Sequence, residues 1–299
     1  MNLFFHQATL SEFALCFPIL RSLEPPLTVI APWSRAELSA RLLPGCQPLD
    51  IELFEFTRLH TPNGPSALSP AIAELFQTAT HIISFVGTTN SPWPDNVRRL
   101  APQAQLLLVD PHPEPDATTH LTDDYRRQLA DQGLVLPDAT HRPTAQKTGL
   151  VVIHPGSGAP AKCWPRVHFE HLIKRLTDAG HPVLPILGEV EAQRWEPETL
   201  EHWTTQRGAI LCRSPLELLD AAANARLFIG NDAGPTHIAA LAAIPTLTLF
   251  GPTQPSRSAP RGPVTNTLAP PVPQPMDWLT PDAVQTKAQE LLTAPNPAG

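Results

Sequence analysis

The four cysteines of this chain, Cys16, Cys46, Cys163 and Cys212, lie far apart and form no CxxC pair. That spacing excludes a disulfide framework and a zinc knuckle, and points to reduced, cytosolic thiols. Long apolar runs are missing too: none approaches the roughly 20 residues that a membrane-spanning helix needs. The amino terminus, MNLFFHQATLSEF, has no basic n-region and is already polar at His6, so it does not read as a signal peptide. Basic charge is scarce. With 21 Lys and Arg against 28 Asp and Glu, the formal net charge is −7, which argues against a nucleic-acid partner, because such proteins need a basic face to displace counterions. Neither GxxxxGK[ST] nor HExxH occurs, and His168 and His171, three residues apart, have no carboxylate partner at metal-site spacing. No metal is expected.

What the chain does have is an apolar, globular composition and many short connections. Hydrophobic residues make up 42% and charged residues 16%, and 37 prolines are scattered through its 299 residues. That length suits two domains, each able to bury a core. The first half alternates expected strands, at Leu3–Phe5, Leu27–Ala31, Ile51–Phe56, His81–Val86 and Gln105–Val109, with helical patterns at Leu10–Leu23, Ser34–Leu43, Pro70–Ala79, Asp95–Leu100 and Asp123–Gln132. Strands separated by helices imply a parallel sheet with helices on its faces. Prolines and acids mark Pro111–Asp116 as an exposed loop. The stretch PDATHRPTAQKT, residues 137–148, has no apolar periodicity and reads as a linker between a first domain at 1–136 and a second at 149–279.

The second half restarts with a strand at Leu150–Ile153 and the turn HPGSGAPAKCWP. A helix follows, whose Phe169, Leu172, Ile173 and Leu176 fall at i, i+3, i+4 and i+7. The most informative stretch is RLFIGNDAGPTHIAALAAIPTLTLFGPTQ, residues 226–254, which reads as strand, tight turn, helix, strand. Pro235 suits the first helical turn. A helix opening out of such a turn leaves backbone N–H groups and a positive dipole end available to a phosphate, so Ala233, Gly234, Pro235 and Thr236 form a candidate anion site. The turn at His154–Pro165 has the same placement, with Lys162 beside Gly156, Ser157 and Gly158. Two such turns at the carboxyl ends of parallel strands point to nucleotide binding. Glu189 and Glu191, just past the strand Val183–Leu187, are candidates to accept hydrogen bonds from a nucleotide ribose.

The two segments HPGSGAPAKCWP and FIGNDAGPTHIAALAAIPTLTLFGPT resemble glycosyltransferase family nine, the ADP-heptose:lipopolysaccharide heptosyltransferases. The resemblance runs through the last 150 residues, including MDWLTPDAV, and is traceable in HLTDDYRRQLADQGL of the first half. It implies a GT-B fold, two Rossmann-like α/β domains with parallel sheets facing across a cleft, the second holding a nucleotide sugar and the first the acceptor. It also implies an inverting transfer without metal or cofactor, in which a sugar, with heptose from ADP-heptose as one candidate, moves to a cell-envelope glycan or glycolipid. Localisation would be cytoplasmic, with any membrane contact peripheral, at the inner membrane. Ser157 and Lys162 would contact phosphate, Asp232 to Thr236 would form the diphosphate turn with His237 beside it, and Gly251, Pro252 and Thr253 would close the donor pocket. Asp232 is expected to organise its loop by capping backbone N–H groups, since a free carboxylate would repel phosphate. The helix at 280–299, N-capped by Thr280, would cross back to the first domain and bury Val284, Ala288, Leu291 and Leu292 there.

One departure bears on catalysis. The family's first turn is glycine-rich and ends in Gly-Asp, whose aspartate is held to deprotonate the acceptor; here Ala8, Thr9, Leu10, Ser11 and Glu12 occupy that turn. Glu12 is the candidate general base, one methylene longer than aspartate, and His6 is the second candidate. Two other readings stand beside transfer: a member that binds a nucleotide or partner without catalysis, and a sugar-nucleotide epimerase of GT-B fold.

Overall fold

The computed structural model describes residues 1–65, 68–113, 119–138 and 149–294. Most of the expected linker, residues 139–148, lies outside the described residues, as does the part of the Pro111–Asp116 loop from residue 114 on. The chain forms two compact units, Met1–Asp116 with Leu121–Ala139, and Ala117–His120 with Thr140–Gly299.

The first unit contains, in chain order, β1 (Asn2–Phe5), α1 (Leu10–Leu15), α2 (Phe17–Ser22), β2 (Leu27–Ala31), α3 (Trp33–Leu42), β3 (Cys46–Asp50), α4 (Phe54–Arg58), α5 (Pro70–Thr78), β4 (His81–Ser84), α6 (Pro92–Leu100), β5 (Gln105–Leu108) and α7 (Leu121–Asp131). Its sheet is parallel throughout, in the order β3-β2-β1-β4-β5. β1 and β2 are buried along their whole length, which is why they read as unbroken apolar runs rather than alternations.

Two expectations fail here for identifiable reasons. The helix expected over Leu10–Leu23 is broken at Cys16, because Pro18 lacks the N–H of a helix interior and sits instead in the first turn of α2. The strand expected at Ile51–Phe56 is a turn followed by α4. Its neighbour Cys46–Asp50 pairs with β2, and Pro48 is tolerated there because β3 is the sheet edge. Within IELFEF only Ile51 and Phe56 are buried, while Phe54 is 69% exposed.

The second unit contains β6 (Leu150–His154), α8 (Arg166–Asp178), β7 (Val183–Leu187), α9 (Glu189–Arg194), α10 (Pro197–Gln206), β8 (Ile210–Leu211), α11 (Pro215–Ala222), β9 (Ala225–Asn231), α12 (Gly234–Leu241), β10 (Thr246–Leu249), α13 (Pro255–Ser258), β11 (Thr265–Leu268) and α14 (Pro281–Thr293). Its six strands are again parallel, in the order β11-β10-β9-β6-β7-β8. Ser214 caps α11 as its sequence implies, accepting from the Glu217 amide. The edge strands are not expected from the sequence, because β8 is only two residues long and β11, TNTL, carries little apolar signal.

The closing helix corrects another expectation. Thr280 does cap α14, but Val284, Ala288 and Leu292 are buried in the core of the second unit, with Phe169, Leu172 and Leu176 of α8 in the same cluster. Polar contacts help to hold the helix there. The Trp164 indole Nε1 donates to Leu279 O at 2.8 Å, Trp278 Nε1 donates to Phe250 O at 2.9 Å, and Arg226, on β9, donates to the carbonyls of Leu292 and Ala294 at the helix end. An apolar face takes the nearest apolar surface, and the buried stripe of α8 supplies it within the same unit. Leu292→Ala is therefore expected to destabilise the folded chain by about 2 kcal/mol or more, the usual range for truncating a buried leucine, read as a lower urea midpoint with an unchanged m-value.

Candidate functional site

β6 and β9 are adjacent parallel strands with His154 opposite Gly230, so the turns that follow them emerge side by side at the carboxyl edge of the sheet. Asn231 ties them together. Its side chain is fully buried; Nδ2 donates to the carbonyls of Pro155 and Gly156 at 2.9 and 3.0 Å, and Oδ1 accepts from the Trp164 amide at 2.9 Å. All these partners belong to the turn after β6. Ser157 adds a weaker bridge, its Oγ lying 3.4 Å from Asp232 O.

Asp232 is 3% exposed, and its carboxylate is taken up by side chains, not by the backbone N–H groups it was expected to cap. Oδ2 accepts from Lys162 Nζ and from Thr253 Oγ1, both at 2.8 Å, and Oδ1 lies 3.7 Å from His237 Nε2. Burial alone would raise its pKa, but His237 and Lys162 outweigh that cost and hold the carboxyl down to about 2. The N-cap of α12 is Ala233, which has no capping side chain. With Thr236 and His237 amides bonded to Ala233 O, and Pro235 lacking an N–H, the Gly234 amide is the helix-start donor that this ladder leaves over. Thr236 turns its Oγ1 onto Asn231 O at 2.7 Å, a packing role. The His237 Nε2 atom is buried without a hydrogen-bond partner among the described residues.

The remaining donor-site expectations divide. Glu191 is removed as a ribose contact, because it is 2% exposed and works as a local brace. Its Oε2 accepts from the Gly188 amide at 2.7 Å and pairs with His154 Nε2 at 3.1 Å. Burial opposes its ionisation, yet His154 and the Gly188 amide keep its carboxyl below the usual range. Its other oxygen explains Gly156: a Cβ there would stand 1.6 Å from Glu191 Oε1, so only glycine fits. Glu189 stays exposed and accepts from Gln193. Gly251 is buried under Met276, whose sulfur would meet an added Cβ at 2.4 Å. Thr253 reaches the cluster through Asp232. Arg194, which sequence reasoning passed over, donates to Gly158 O at 2.6 Å and braces the same turn.

In the first unit, Glu12 and His6 both follow β1. His6 is 1% exposed among Phe4, Phe13 and Phe85; burial, then the positive charge of Arg35, push its pKa down to about 3. A site that so disfavours the protonated ring takes His6 out of contention as a base. Glu12 closes a capping box on α1, accepting from the Thr9 amide at 2.8 Å and from Thr9 Oγ1 at 2.6 Å. Its other oxygen, Oε1, lies 2.9 Å from His112 Nε2. Burial raises its pKa, but the Thr9 and His112 contacts more than offset this, and the net shift is downward. His112 carries no signal in the sequence, standing 100 residues from its partner.

The profile of the family described as glycosyltransferase family 9 (heptosyltransferase) matches residues 64–273. The chain belongs to glycosyltransferase family 9. The match begins inside the first unit, so the resemblance extends well beyond the two glycine-containing turns. Among curated relatives, lipopolysaccharide heptosyltransferase 2 of Escherichia coli (strain K12) is 33% identical over 107 residues, 34% of this chain and 30% of that protein. The alignment thus spans less than a third of that relative. Among solved structures, the glycosyl transferase family 9 from Veillonella parvula DSM 2008 superposes with a TM-score of 0.71 at 15% identity, covering 97% of this chain and 96% of that one. E. coli heptosyltransferase WaaC with ADP gives 0.68 at 16% identity, covering 97% and 99%. These likenesses establish the GT-B fold class of two parallel-sheet α/β domains. Among the described residues no group of three or more His, Cys, Asp or Glu is arranged to hold a metal, and no helix is long and apolar enough to cross a membrane.

The Asp232 cluster makes a pH-dependent contribution to stability. Its folded pKa of about 2 lies below the usual aspartate value of 3.8, so the contribution is complete above about pH 4 and is lost as pH falls toward 2; the shift corresponds to about 2 kcal/mol. Asp232→Asn is expected to be less stable than the native chain at pH 7 by that order, and the gap in urea-unfolding free energy should narrow between pH 4 and pH 2.5. A gap independent of pH would show that the carboxylate charge is not what the cluster uses.

Proposed function

We propose that this chain is an inverting, metal-independent glycosyltransferase that moves a sugar from a nucleoside diphosphate donor to a hydroxyl of a cell-envelope glycan or glycolipid. The observation that carries the reading is the joining of Lys162, Asp232, Thr253 and His237 at the uncapped start of α12, beside the turn after β6. Charge building up on a departing diphosphate needs preorganised positive groups, and a helix start with a lysine supplies them without a metal. Lys162, Ser157 and the Gly234 amide are the proposed phosphate donors, and Glu189 the proposed ribose acceptor. The relatives favour ADP-heptose as donor and lipopolysaccharide as acceptor: one solved relative holds ADP, and another is an ADP-heptose lps heptosyltransferase. The acceptor is proposed to lie with the first domain, where Glu12 replaces the family's aspartate.

A second reading, nucleotide binding without transfer, is favoured by one observation: the Glu12 carboxylate is already engaged by a capping box. Calorimetric titration with ADP-, UDP-, GDP- and CDP-sugars tests the donor site directly. One of them should bind, and Lys162→Ala should weaken it at least tenfold, the loss of a charge-assisted phosphate contact. Equal affinity in the mutant, or no binding of any of the four, would sink the assignment, whereas binding without turnover would move the balance to the second reading.

A further inference from the structure

Glu12 is a poor base where it stands. One oxygen is occupied by both donors of Thr9, and the net effect of its surroundings is to stabilise the carboxylate rather than its acid. A carboxylate only accepts, so the 2.9 Å contact to His112 Nε2 requires the hydrogen to reside on that nitrogen. The lone pair of the neutral imidazole then lies on Nδ1. His112 is well placed to use it: its side chain is 73% exposed, whereas that of Glu12 is 21% exposed.

The loop carrying His112 is held from several sides within the first unit. Val109 donates to Ser84 O at 2.9 Å, continuing the sheet beyond β5. Gln128 of α7 bonds both backbone groups of Asp110, Tyr125 Oη donates to Pro111 O at 2.9 Å, and the His112 amide donates to Asp110 Oδ1 at 2.9 Å. His112 and Glu12 therefore meet at the carboxyl edge of a parallel sheet, the side on which such sheets bind ligands. Among the described residues, the charged and titratable groups about the pair include His6 after β1, Cys16 after α1, Arg35 on α3, and Asp110 on the same loop as His112.

We infer that His112 is the proton acceptor of the transfer and that Glu12 positions its imidazole. This deepens the transferase reading and rests on it. The acceptor hydroxyl gives its proton to Nδ1 as its oxygen bonds to the anomeric carbon, the bond from that carbon to the diphosphate oxygen breaks, and the nucleoside diphosphate leaves with the electron pair. Glu12 takes no proton; it fixes the tautomer and stabilises the imidazolium that forms.

The test pairs transfer kinetics with donor titration in His112→Asn and Glu12→Gln. His112→Asn should lower kcat by 10²-fold or more, the usual weight of a general base, with donor affinity unchanged. The acid limb of kcat/KM should move to lower pH in Glu12→Gln, because the imidazolium that forms then lacks a neighbouring negative charge. Glu12→Gln should retain more activity than His112→Asn. Transfer kept within threefold by His112→Asn, or an acid limb in the carboxylate range that vanishes with Glu12→Gln, would overturn the pair and leave the transferase reading intact. Donor binding with no transfer by the native chain under any acceptor would overturn both.

Discussion

The second domain depends on one buried amide. Asn231 spends its donors and its acceptor on the turn that follows a different strand, so the two glycine-containing turns are fixed to each other rather than merely adjacent. A buried amide with partners on both ends is stabilising, but one left without them would cost about 1–3 kcal/mol, so neither turn can shift alone. Placement of Lys162 over Asp232 follows from this registration. The lysine closes a short 3-10 turn, Pro160–Lys162, two residues before Trp164, and Trp164 is where the Asn231 side chain takes hold.

The same residue anchors the far end of the domain. Trp164 reaches from the site to the carbonyl of Leu279, just before α14, and Trp278 reaches back from there to Phe250 at the end of β10. Indole N–H groups need a partner once buried, and both find backbone carbonyls that no strand or helix uses. The carboxyl-terminal helix is thus tied to the strand ends that build the site. That arrangement accounts for α14 remaining with the second unit although its apolar face is weak.

Much of this was legible in the chain. Rossmann-like alternation, the capped helices at Ser214 and Thr280, and the two glycine-containing turns all follow from local pattern, because burial on both sheet faces and helix capping leave marks within a few residues. What escaped was non-local. Asn231 reads as a turn former, since its partners lie 67 to 76 residues away. Glu191 looks like a ribose acid because it follows a strand, and only the packing of Gly156 against it shows that the carboxylate is enclosed. Glu12 looks like a free base for the same reason, although Thr9, three residues earlier, already contained the capping-box signal. β3 was misplaced by one segment because an edge strand with a proline carries little apolar pattern.

The enclosed ion pair also constrains how a diphosphate could be met. Lys162 is 30% exposed and Asp232 is 3% exposed, so the carboxylate faces inward and the ammonium stands at the rim. In the free protein the lysine charge is offset by Asp232, and the net positive potential at the turn comes mainly from the α12 dipole. A phosphate arriving at the rim can share the ammonium, which has three donors, without displacing it from Asp232. The aspartate then acts by holding the lysine in one rotamer, which lowers the entropy cost of the phosphate contact. Its own repulsion of the phosphate is reduced by Thr253 and His237, which complete its ring of partners. A carboxylate next to the proposed anion site is therefore compatible with binding because it is buried and saturated, and an exposed aspartate at the same place would not be.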